Sequence, residues 1–330
     1  MYAEHYDLSG RPFQLSPDHR FFFRSRSHTK ALAYLSFGLN EREGFIVISG
    51  DVGAGKTTLV GHLTSQIDRE QYVLANVVTT QLEADDALRM VASAFGIDFE
   101  ESNKATLLRG IERFLLDQHA LGKHVLLVVD EAQNMTPSAL EELRMLSNFQ
   151  ADGKALIQCF LLGQPQFRAI MAHPAMEQLL QRVIASCHLE PMDLAETRSY
   201  IEHRLRMVGW DSNPVFSSDA FEMIQIHSGG VPRRINTLCG RLLLFGALEN
   251  LHEINSDVVL EVVNELADEG TQHSSTNIPE PDLENMMLPS GRIMEGLNEI
   301  IPSGPWPSVQ SYSDALRTLD DRVARLKPAD

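Results

Sequence analysis

The feature that most constrains the fold of this chain is a glycine-rich stretch that runs from Gly50 to Thr58. It matches the pattern G-x-x-x-x-G-K-[ST], in which backbone N–H groups surround phosphate groups. An apolar, strand-forming run from Phe45 to Ile48 precedes the stretch, and a helical pattern follows it. A strand that delivers such a turn to the positive end of a helix creates an anion site. The order of these elements predicts a phosphate-binding loop, and a chance glycine-rich turn is the alternative.

The stretch gives its polar side chains candidate roles. The amine of Lys56 would reach the β- and γ-phosphates of a nucleotide, and the hydroxyl of Thr57 would bind Mg²⁺. The predicted phosphate-contacting residues are Gly50, Asp51, Val52, Gly53, Ala54, Gly55, Lys56, Thr57 and Thr58.

Composition narrows the class of protein. A length of 330 residues allows one large or two modest domains. The formal net charge of -17 argues against broad, non-specific wrapping of nucleic acid, although a local basic patch remains compatible with it. Three cysteines, Cys159, Cys187 and Cys239, lie far apart in apolar segments. This spacing predicts buried free thiols in a reducing compartment and no zinc site.

The sequence does not show the pattern of a membrane span or of a signal peptide. No segment approaches the run of about 18 to 20 apolar residues that a membrane span requires. The first residues are polar and lack the apolar core of a signal peptide. We therefore expect a cytoplasmic protein without direct membrane insertion, which would reach the inner membrane only as a peripheral protein through a partner.

Strands alternate with helices through the first half of the chain, which predicts a parallel α/β sheet with right-handed crossovers. The run from His124 to Asp130 is apolar without interruption and ends in an acid. Such runs are typical of a central parallel strand that is covered on both faces. The other predicted strands are Phe45–Ile48, Tyr72–Val78, Ala155–Leu162 and Val183–Leu189. The expected fold is a three-layer P-loop core.

After Pro191 the pattern changes to helices without intervening strands. The predicted helices are Leu194–Val208, Ser218–His227, Val231–Leu248 and Ser256–Leu266. We predict an N-terminal strap packed on the core over residues 1–27, the P-loop core over residues 28–192 and an all-helical lid over residues 193–267. Residues 268–330 are predicted to be mostly disordered, with a short helix over Tyr312–Leu326 that either docks on a partner or folds back on its own domain.

Two acids at the end of the apolar strand indicate hydrolysis. Asp130 would hold Mg²⁺ through its water shell, and Glu131 would orient and activate the attacking water. Beyond the next strand, Gln164 would lie between these acids and the γ-phosphate, where it could touch both the phosphate and the water. The alternative for Gln164 is an ordinary loop glutamine before Pro165.

Two arginines complete the candidate site. Arg182 follows a helix and directly precedes a short strand, from which it could reach the γ-phosphate of a neighbouring subunit. Its alternative is a surface salt bridge, and Arg168 is the fallback candidate for the same role. Arg233 begins a lid helix and could contact the bound nucleotide, whereas Arg234 beside it would face outward or pair with an acid.

In this order the residues resemble the Walker A, Walker B, first sensor, arginine finger and second sensor of the AAA+ ATPases, over about residues 28–266. Within that class the chain resembles the ATPases of the general secretion pathway protein A (ExeA-like) family. The segments that carry this resemblance include Tyr6-Asp-Leu8, Pro12-Phe13, Pro17-Asp18, Glu43-Gly-Phe45, Asp130-Glu-Ala-Gln133, Leu162-Gly-Gln-Pro165 and Gly230-Val-Pro-Arg-Arg-Ile-Asn236. The segment Tyr200-Ile-Glu-His-Arg-Leu205 is similar to the branch encoded beside exosortase and exopolysaccharide genes, the XrtA/PEP-CTERM-associated ATPases.

The resemblance implies ATP and Mg²⁺ as cofactors and ATP hydrolysis as the reaction. It also implies a homo-oligomeric ring and a membrane-associated partner in secretion or polysaccharide export. A nucleic-acid-associated ATPase, such as a transposition regulator or loader, shares the core and lid and is the alternative. The acidic net charge makes nucleic acid an unexpected partner, because the local basic cluster is small. Its members are Arg20, Arg24, Arg26 and Lys30. A scaffold that binds nucleotide and barely hydrolyses it is a third possibility, against which Glu131 argues.

Overall fold

The computed structural model describes residues 2–14, 16, 18–79, 83–98 and 103–274. The chain divides into two units, Met1–Ser275 and Thr276–Asp330, and the described residues all belong to the first. The predicted C-terminal helix over Tyr312–Leu326 lies outside the described residues.

Five parallel strands form the central sheet, in the order β2-β3-β6-β1-β7. The strands in chain order are β1 Phe45–Gly50, β2 Tyr72–Val78, β3 His124–Asp130, β4 Gln150–Ala151, β5 Lys154–Ala155, β6 Ile157–Gly163, β7 Val183–Leu189, β8 Val215–Phe216 and β9 Glu253–Ile254. Every residue of β1 and β6 is buried. Burial on both faces accounts for their continuous apolar runs and confirms the predicted parallel core.

Helices cover both faces of this sheet. The helices of the described residues are, in chain order, α1 Tyr2–His5, α2 Arg26–Glu41, α3 Lys56–Thr64, α4 Ala84–Ala94, α5 Lys104–Ala120, α6 Pro137–Leu146, α7 Pro165–Met171, α8 Glu177–Leu180, α9 Leu194–Arg206, α10 Ser218–Ser228, α11 Pro232–Leu248 and α12 Ser256–Ser274, of which α2 to α8 flank the sheet. Alternate side chains of β1 face opposite layers, as strand geometry requires. Phe45 and Val47 pack with α4 to α7, whereas Ile46 and Ile48 pack with α2 and α3. The result is the three-layer core that the sequence predicts.

The lid helices, α9 to α12, build a separate apolar cluster. A capping box between Asp193 and Glu196 begins α9, since each side chain bonds the backbone N–H of the other residue. One departure from the all-helical prediction is the short parallel pair β8–β9. Another is the length of α12, which continues to Ser274 through residues predicted as linker. Arg241 of α11 forms an ion pair with Glu269 at 2.6 Å, which ties this extension to its neighbour.

The N-terminal strap does not pack on the core in the way the sequence suggests. Tyr6 and Phe13 are buried in the apolar cluster of the lid helices, and the hydroxyl of Tyr6 donates to the carbonyl of Leu251 at 3.0 Å. Of the strap residues that the structure describes, Phe22 alone packs against the cluster of α2, α3 and the sheet. The prediction that the strap packs on the core was therefore wrong for the first half of the strap. Helix α11 presents an apolar face there, and Tyr6 and Phe13 cover it.

Two helix starts follow capping chemistry. Ser25 accepts from the N–H of His28, so α2 begins at Arg26. Thr136 caps α6, with Pro137 at the first position of that helix. Among the described residues, no helix is long and apolar enough to cross a membrane.

Candidate nucleotide-binding site

Strand order brings the predicted site together. Strand β6 lies between β1 and β3, and all three are parallel, so their carboxyl ends meet at one edge of the sheet. The glycine-rich loop leaves β1, Asp130 ends β3 and Gln164 directly follows β6. Ligands of open parallel sheets bind at this edge, outside the strand ends.

The glycine-rich loop has the backbone that a phosphate cradle requires. Gly53 and Gly55 adopt positive φ angles of 81° and 93°, which favour glycine. Lys56 begins α3 and is buried, and its Nζ donates to the carbonyls of Gly50 at 2.8 Å and Asp51 at 3.1 Å. Burial lowers the pKa of the Lys56 amine, although the nearby carboxylates oppose that shift. The loop thus holds a buried cation beside the positive end of α3.

Thr57 and Asp130 form the candidate magnesium site. The Thr57 hydroxyl donates to the Asp130 carboxylate at 2.6 Å, which joins the loop to the end of β3. A hydroxyl and a carboxylate are oxygen ligands suited to Mg²⁺, which is usually held by one or two carboxylates together with phosphates and water. The described residues contain no group of three or more His, Cys, Asp or Glu side chains that could hold a metal. The donor set therefore fits a magnesium ion that arrives with a nucleotide.

Glu131 is held in a conformation that few residues adopt. Its φ angle is 56°, in the left-handed region, at a cost on the order of 1–3 kcal/mol. The hydroxyl of Thr79 donates to the backbone carbonyl of Glu131 at 2.6 Å and to that of Asp130 at 3.0 Å. Asn134 in turn donates to the carbonyl of Thr79 at 3.1 Å. These bonds at the ends of β2 and β3 fix the backbone that carries the acid pair.

Two glutamines fix the carboxylate of Glu131. The side-chain amides of Gln133 and Gln164 both donate to it, the latter at 3.0 Å, and the Gln133 amide oxygen accepts from the Gln164 N–H at 2.9 Å. Partial burial alone would raise the pKa of Glu131, but these hydrogen bonds and the charge of Lys56 outweigh burial and lower the pKa. The two glutamines and Lys56 therefore favour the ionised form of the carboxylate. Sequence reasoning did not assign Gln133 to the site, although its position two residues after Glu131 was visible.

Arg233 joins the lid helices to the glycine-rich loop. Its backbone N–H, at the start of α11, donates to the carbonyl of Gly53 at 3.2 Å. The turn just before α11 is closely packed as well. A methyl group on Gly230 would lie 2.0 Å from the carbonyl oxygen of Met192. The structure thus brings the backbone of Arg233 to the loop, and a contact of its side chain with a nucleotide stays a prediction.

Gly53→Ala is expected to destabilise this junction by about 1–2 kcal/mol, because φ is positive there. The added methyl would also lie 2.2 Å from the Cβ of Arg233. Urea unfolding measures the loss in free energy, and nucleotide titration should show weaker binding. Gly61→Ala is the matched control, because open space surrounds this helical glycine and alanine favours the helix. Equal stability of Gly53→Ala and wild type would contradict the proposed contact.

A cavity of about 380 Å³ lies between the loop and the lid helices. The loop, Glu131 and Arg233 line one end of it. Sequence reasoning missed most of the remaining wall, which comes from residues distant in the chain. These residues include Phe21, Phe22, His28, Tyr200, Arg204 and Asn236.

His28 connects the strap to the glycine-rich loop. Its Nε2 lies 3.1 Å from the carbonyl of Ala54, and its Nδ1 lies 2.6 Å from the hydroxyl of Ser25. Burial lowers the pKa of His28, with smaller opposing effects from the Ala54 carbonyl and Glu196. The neutral ring therefore donates from Nε2 to Ala54 and accepts at Nδ1 from Ser25.

Acidification is expected to destabilise the protein through His28. Because its pKa is lower in the folded state, the unfolded state binds more protons between the two pKa values. The stabilisation is complete above the unfolded value of about 6.5 and is lost as the pH falls through it toward the folded value. His28→Gln keeps a donor for Ala54 and should show a smaller loss of unfolding free energy between pH 7 and pH 5.5. The exposed His227 serves as control through His227→Gln; identical pH dependence of His28→Gln and wild type would contradict the assignment.

Arg182 lies at the opposite edge of the sheet. It directly precedes β7, and its carbonyl accepts from the N–H of Phe45 at the amino end of β1. Its guanidinium donates to the carbonyl and hydroxyl of Ser147, each at 3.1 Å, and to Asn148. Within one chain the structure therefore does not bring Arg182 to the glycine-rich loop. The fallback, Arg168, is exposed on α7.

Acids partly neutralise the local basic cluster. Arg20 pairs with Asp18 at 2.6 Å, and Arg26 pairs with Asp193 at 2.7 Å. Both arginines are exposed, so these ion pairs contribute little to stability. They do reduce the positive potential that a nucleic-acid surface would need.

The parallel sheet, its strand order and the loop at the end of β1 define the fold of the AAA class of P-loop ATPases. The family described as AAA domain matches residues 39–171. General secretion pathway protein A of Aeromonas hydrophila is 35% identical over 278 residues, which are 83% of this chain and 50% of that protein. The chain thus spans about half the length of this relative. The similarity to this secretion protein extends over most of the present chain.

The chain is also similar to proteins of the ORC class. The putative ORC1-type DNA replication protein 1 of Thermoplasma acidophilum is 36% identical over 91 residues, 27% of this chain and 25% of that protein. The ORC2 protein of Aeropyrum pernix, solved with ADPNP and ADP, superposes with a TM-score of 0.58 at 19% identity, covering 77% of this chain and 71% of that one. Because the ORC2 protein is only 19% identical to this chain, the similarity between the two shows a shared fold.

Proposed function

We propose that the chain binds Mg²⁺·ATP in the cavity between the sheet edge and the lid helices and hydrolyses it. The observation that carries this proposal is the meeting of a buried Lys56, the Thr57–Asp130 pair and a fixed, ionised Glu131 at one sheet edge. The fold neighbour solved with ADPNP supports a nucleotide as ligand.

Each residue of the site would have one of the roles that phosphoryl transfer to water requires. Loop N–H groups and Lys56 would hold the phosphates, while Thr57 and Asp130 would hold the magnesium ion. That ion would neutralise charge on the phosphates when bound. Glu131 would accept the proton of the attacking water. Gln164 fixes the acid and lies beside the place where the γ-phosphate and water would meet.

The lid helices would link nucleotide state to movement. Arg233 contacts the loop through its backbone, so its side chain is available to a nucleotide from the lid side. We take residues 28–192 as the core and the helices from residue 193 onward as the lid. A change in the contact between Arg233 and the phosphates would then change the lid angle.

Arg182 belongs to this proposal as a residue supplied to a neighbouring subunit in a homo-oligomeric ring. Its place at the edge opposite the glycine-rich loop supports action in trans, because one chain cannot bring the two together. Release of its bonds to Ser147 and Asn148 would free the guanidinium for phosphate oxygens.

Arg182→Ala is expected to lower turnover by about 10³-fold or more, in line with other arginine fingers. Mixing Arg182→Ala with Glu131→Gln protomers should restore part of the activity, because each mutant supplies what its neighbour lacks. Steady-state phosphate release measures the recovery, light scattering confirms assembly, and Arg113→Ala, at an exposed position on α5, serves as control. Absence of recovery in intact assemblies would contradict action in trans.

We further propose that hydrolysis serves a secretion or exopolysaccharide-export system, with an exosortase-associated protein at the inner membrane as partner. The similarity to general secretion pathway protein A and the motif around Tyr200 support this role. The test is co-sedimentation with inner-membrane vesicles in ATP or ADP, before and after protease treatment of the vesicles. Binding that depends on the nucleotide and is lost after proteolysis is expected; equal binding to treated vesicles would contradict a protein partner.

A nucleic-acid-associated ATPase is the second candidate, supported by the similarity to the ORC1-type DNA replication protein. Such a protein should bind DNA with an affinity that falls steeply as salt rises, because phosphate contacts release counterions. The ion pairs of Arg20 and Arg26 argue against it. Salt-dependent DNA binding that stimulates hydrolysis would favour this candidate over the export role.

A further inference from the structure

Arg204 is a buried arginine without an acidic partner among the described residues. It lies on α9 and is only 6% exposed. Its Nε donates to the carbonyl of Pro12 at 2.6 Å, and its Nη1 donates to the hydroxyl of Tyr200 at 2.7 Å and to the Asn236 side-chain oxygen at 3.3 Å. All three acceptors are neutral, so the guanidinium charge is not compensated by a carboxylate.

The buried guanidinium charge of Arg204 is only partly compensated by its surroundings. Burial of an ion without a counter-ion is unfavourable even after relaxation of the protein. Aromatic faces offset part of the cost, since the guanidinium lies 4.9 Å from the ring centre of Phe21 and 5.6 Å from that of Tyr200. Nη2 makes no hydrogen bond to the described residues. Arg204 also lines the cavity, and Nη2 is its one guanidinium nitrogen without a hydrogen-bond partner among the described residues.

The surroundings of Arg204 indicate which end of a nucleotide it meets. Its partner Asn236 lies three residues beyond Arg233 on α11, about one helical turn from the contact with the glycine-rich loop. The side chains that contact the guanidinium are Phe21, Tyr200 and Asn236, and none of these belongs to the glycine-rich loop or the acid pair. The phosphates therefore belong at the loop end and the base at the end of Arg204.

We propose that Arg204 is a base-binding residue that donates from Nη2 to a ring nitrogen of the purine of the bound nucleotide. The inference rests on the proposed function, since it assigns the base end of the same cavity. Through Pro12 and Phe21, Arg204 also holds the strap against α9, so the strap forms one wall of the base pocket.

Arg204→Met tests this assignment, because methionine keeps much of the apolar stem and removes every donor. Calorimetric titrations would compare ATP, ADP and inorganic tripolyphosphate. Loss of a hydrogen bond from a charged donor weakens binding by about 10- to 100-fold. We expect equal losses of this size for ATP and ADP and unchanged affinity for tripolyphosphate, which lacks a base. Arg206→Met is the matched control, since Arg206 lies exposed on the same helix in an ion pair with Glu202.

A second variant separates binding from folding. Arg204→Lys keeps the charge and one donor group but not the planar fork. It should show an intermediate loss for ATP and ADP, with the thermal unfolding midpoint of the nucleotide-free protein close to that of wild type. Unchanged ATP affinity in both variants, or an equal loss for tripolyphosphate, would overturn the assignment. Failure of the proposed function would look different, because wild type itself would then bind no ATP.

Discussion

Glu131→Gln is expected to lower ATP turnover by about 10²- to 10⁴-fold while leaving ATP binding intact, because only the proton acceptor is lost. Glutamine has nearly the same shape and can remain between Gln133 and Gln164. It cannot take a proton from water. Phosphate release measures the rate, and calorimetric titration measures the affinity.

The matched control is Glu141→Gln. Glu141 lies on α6, where it forms an ion pair with Arg144 at 2.6 Å and does not line the cavity. Wild-type turnover in Glu131→Gln would mean that another group activates the water. A loss of ATP affinity equal to the loss of turnover would mean that Glu131 acts in binding.

Lys56→Ala should weaken ATP binding by about 100-fold or more, because it removes the buried cation that would face the phosphates. A charged hydrogen bond contributes about 1.5–3 kcal/mol, and Lys56 would make several with the β- and γ-phosphates. Fluorescence titration with a labelled ATP analogue measures the change. Lys154→Ala, at an exposed position in β5, is the control. Wild-type ATP affinity in Lys56→Ala would contradict the proposal that the loop binds the phosphates.

The core of the site was predictable because parallel strands impose it. A continuous apolar run identifies β3, and its last residue, Asp130, must then lie at the same sheet edge as the loop after β1. The hydrogen bond between Thr57 and Asp130 follows from that topology. Gln164 was predictable for the same reason, since it directly follows β6.

The base end of the cavity was not predictable, because its residues meet only through tertiary packing. Arg204 and Asn236 lie on different lid helices, and Phe21 belongs to a strap without periodic pattern. The strap itself was assigned to the wrong neighbour, since sequence does not show which apolar face Tyr6 and Phe13 cover. Arg182 was placed correctly before β7, but its bonds to Ser147 and Asn148 depend on how α6 ends.

The central claim is that one cavity holds Mg²⁺·ATP and that Glu131 drives its hydrolysis. The most direct measurement is steady-state phosphate release from the purified chain as magnesium is titrated in the presence of ATP. We expect turnover that saturates with ATP, requires magnesium and disappears in Lys56→Ala and Glu131→Gln. Turnover that persists in both variants, or none in wild type at any magnesium concentration, would contradict it.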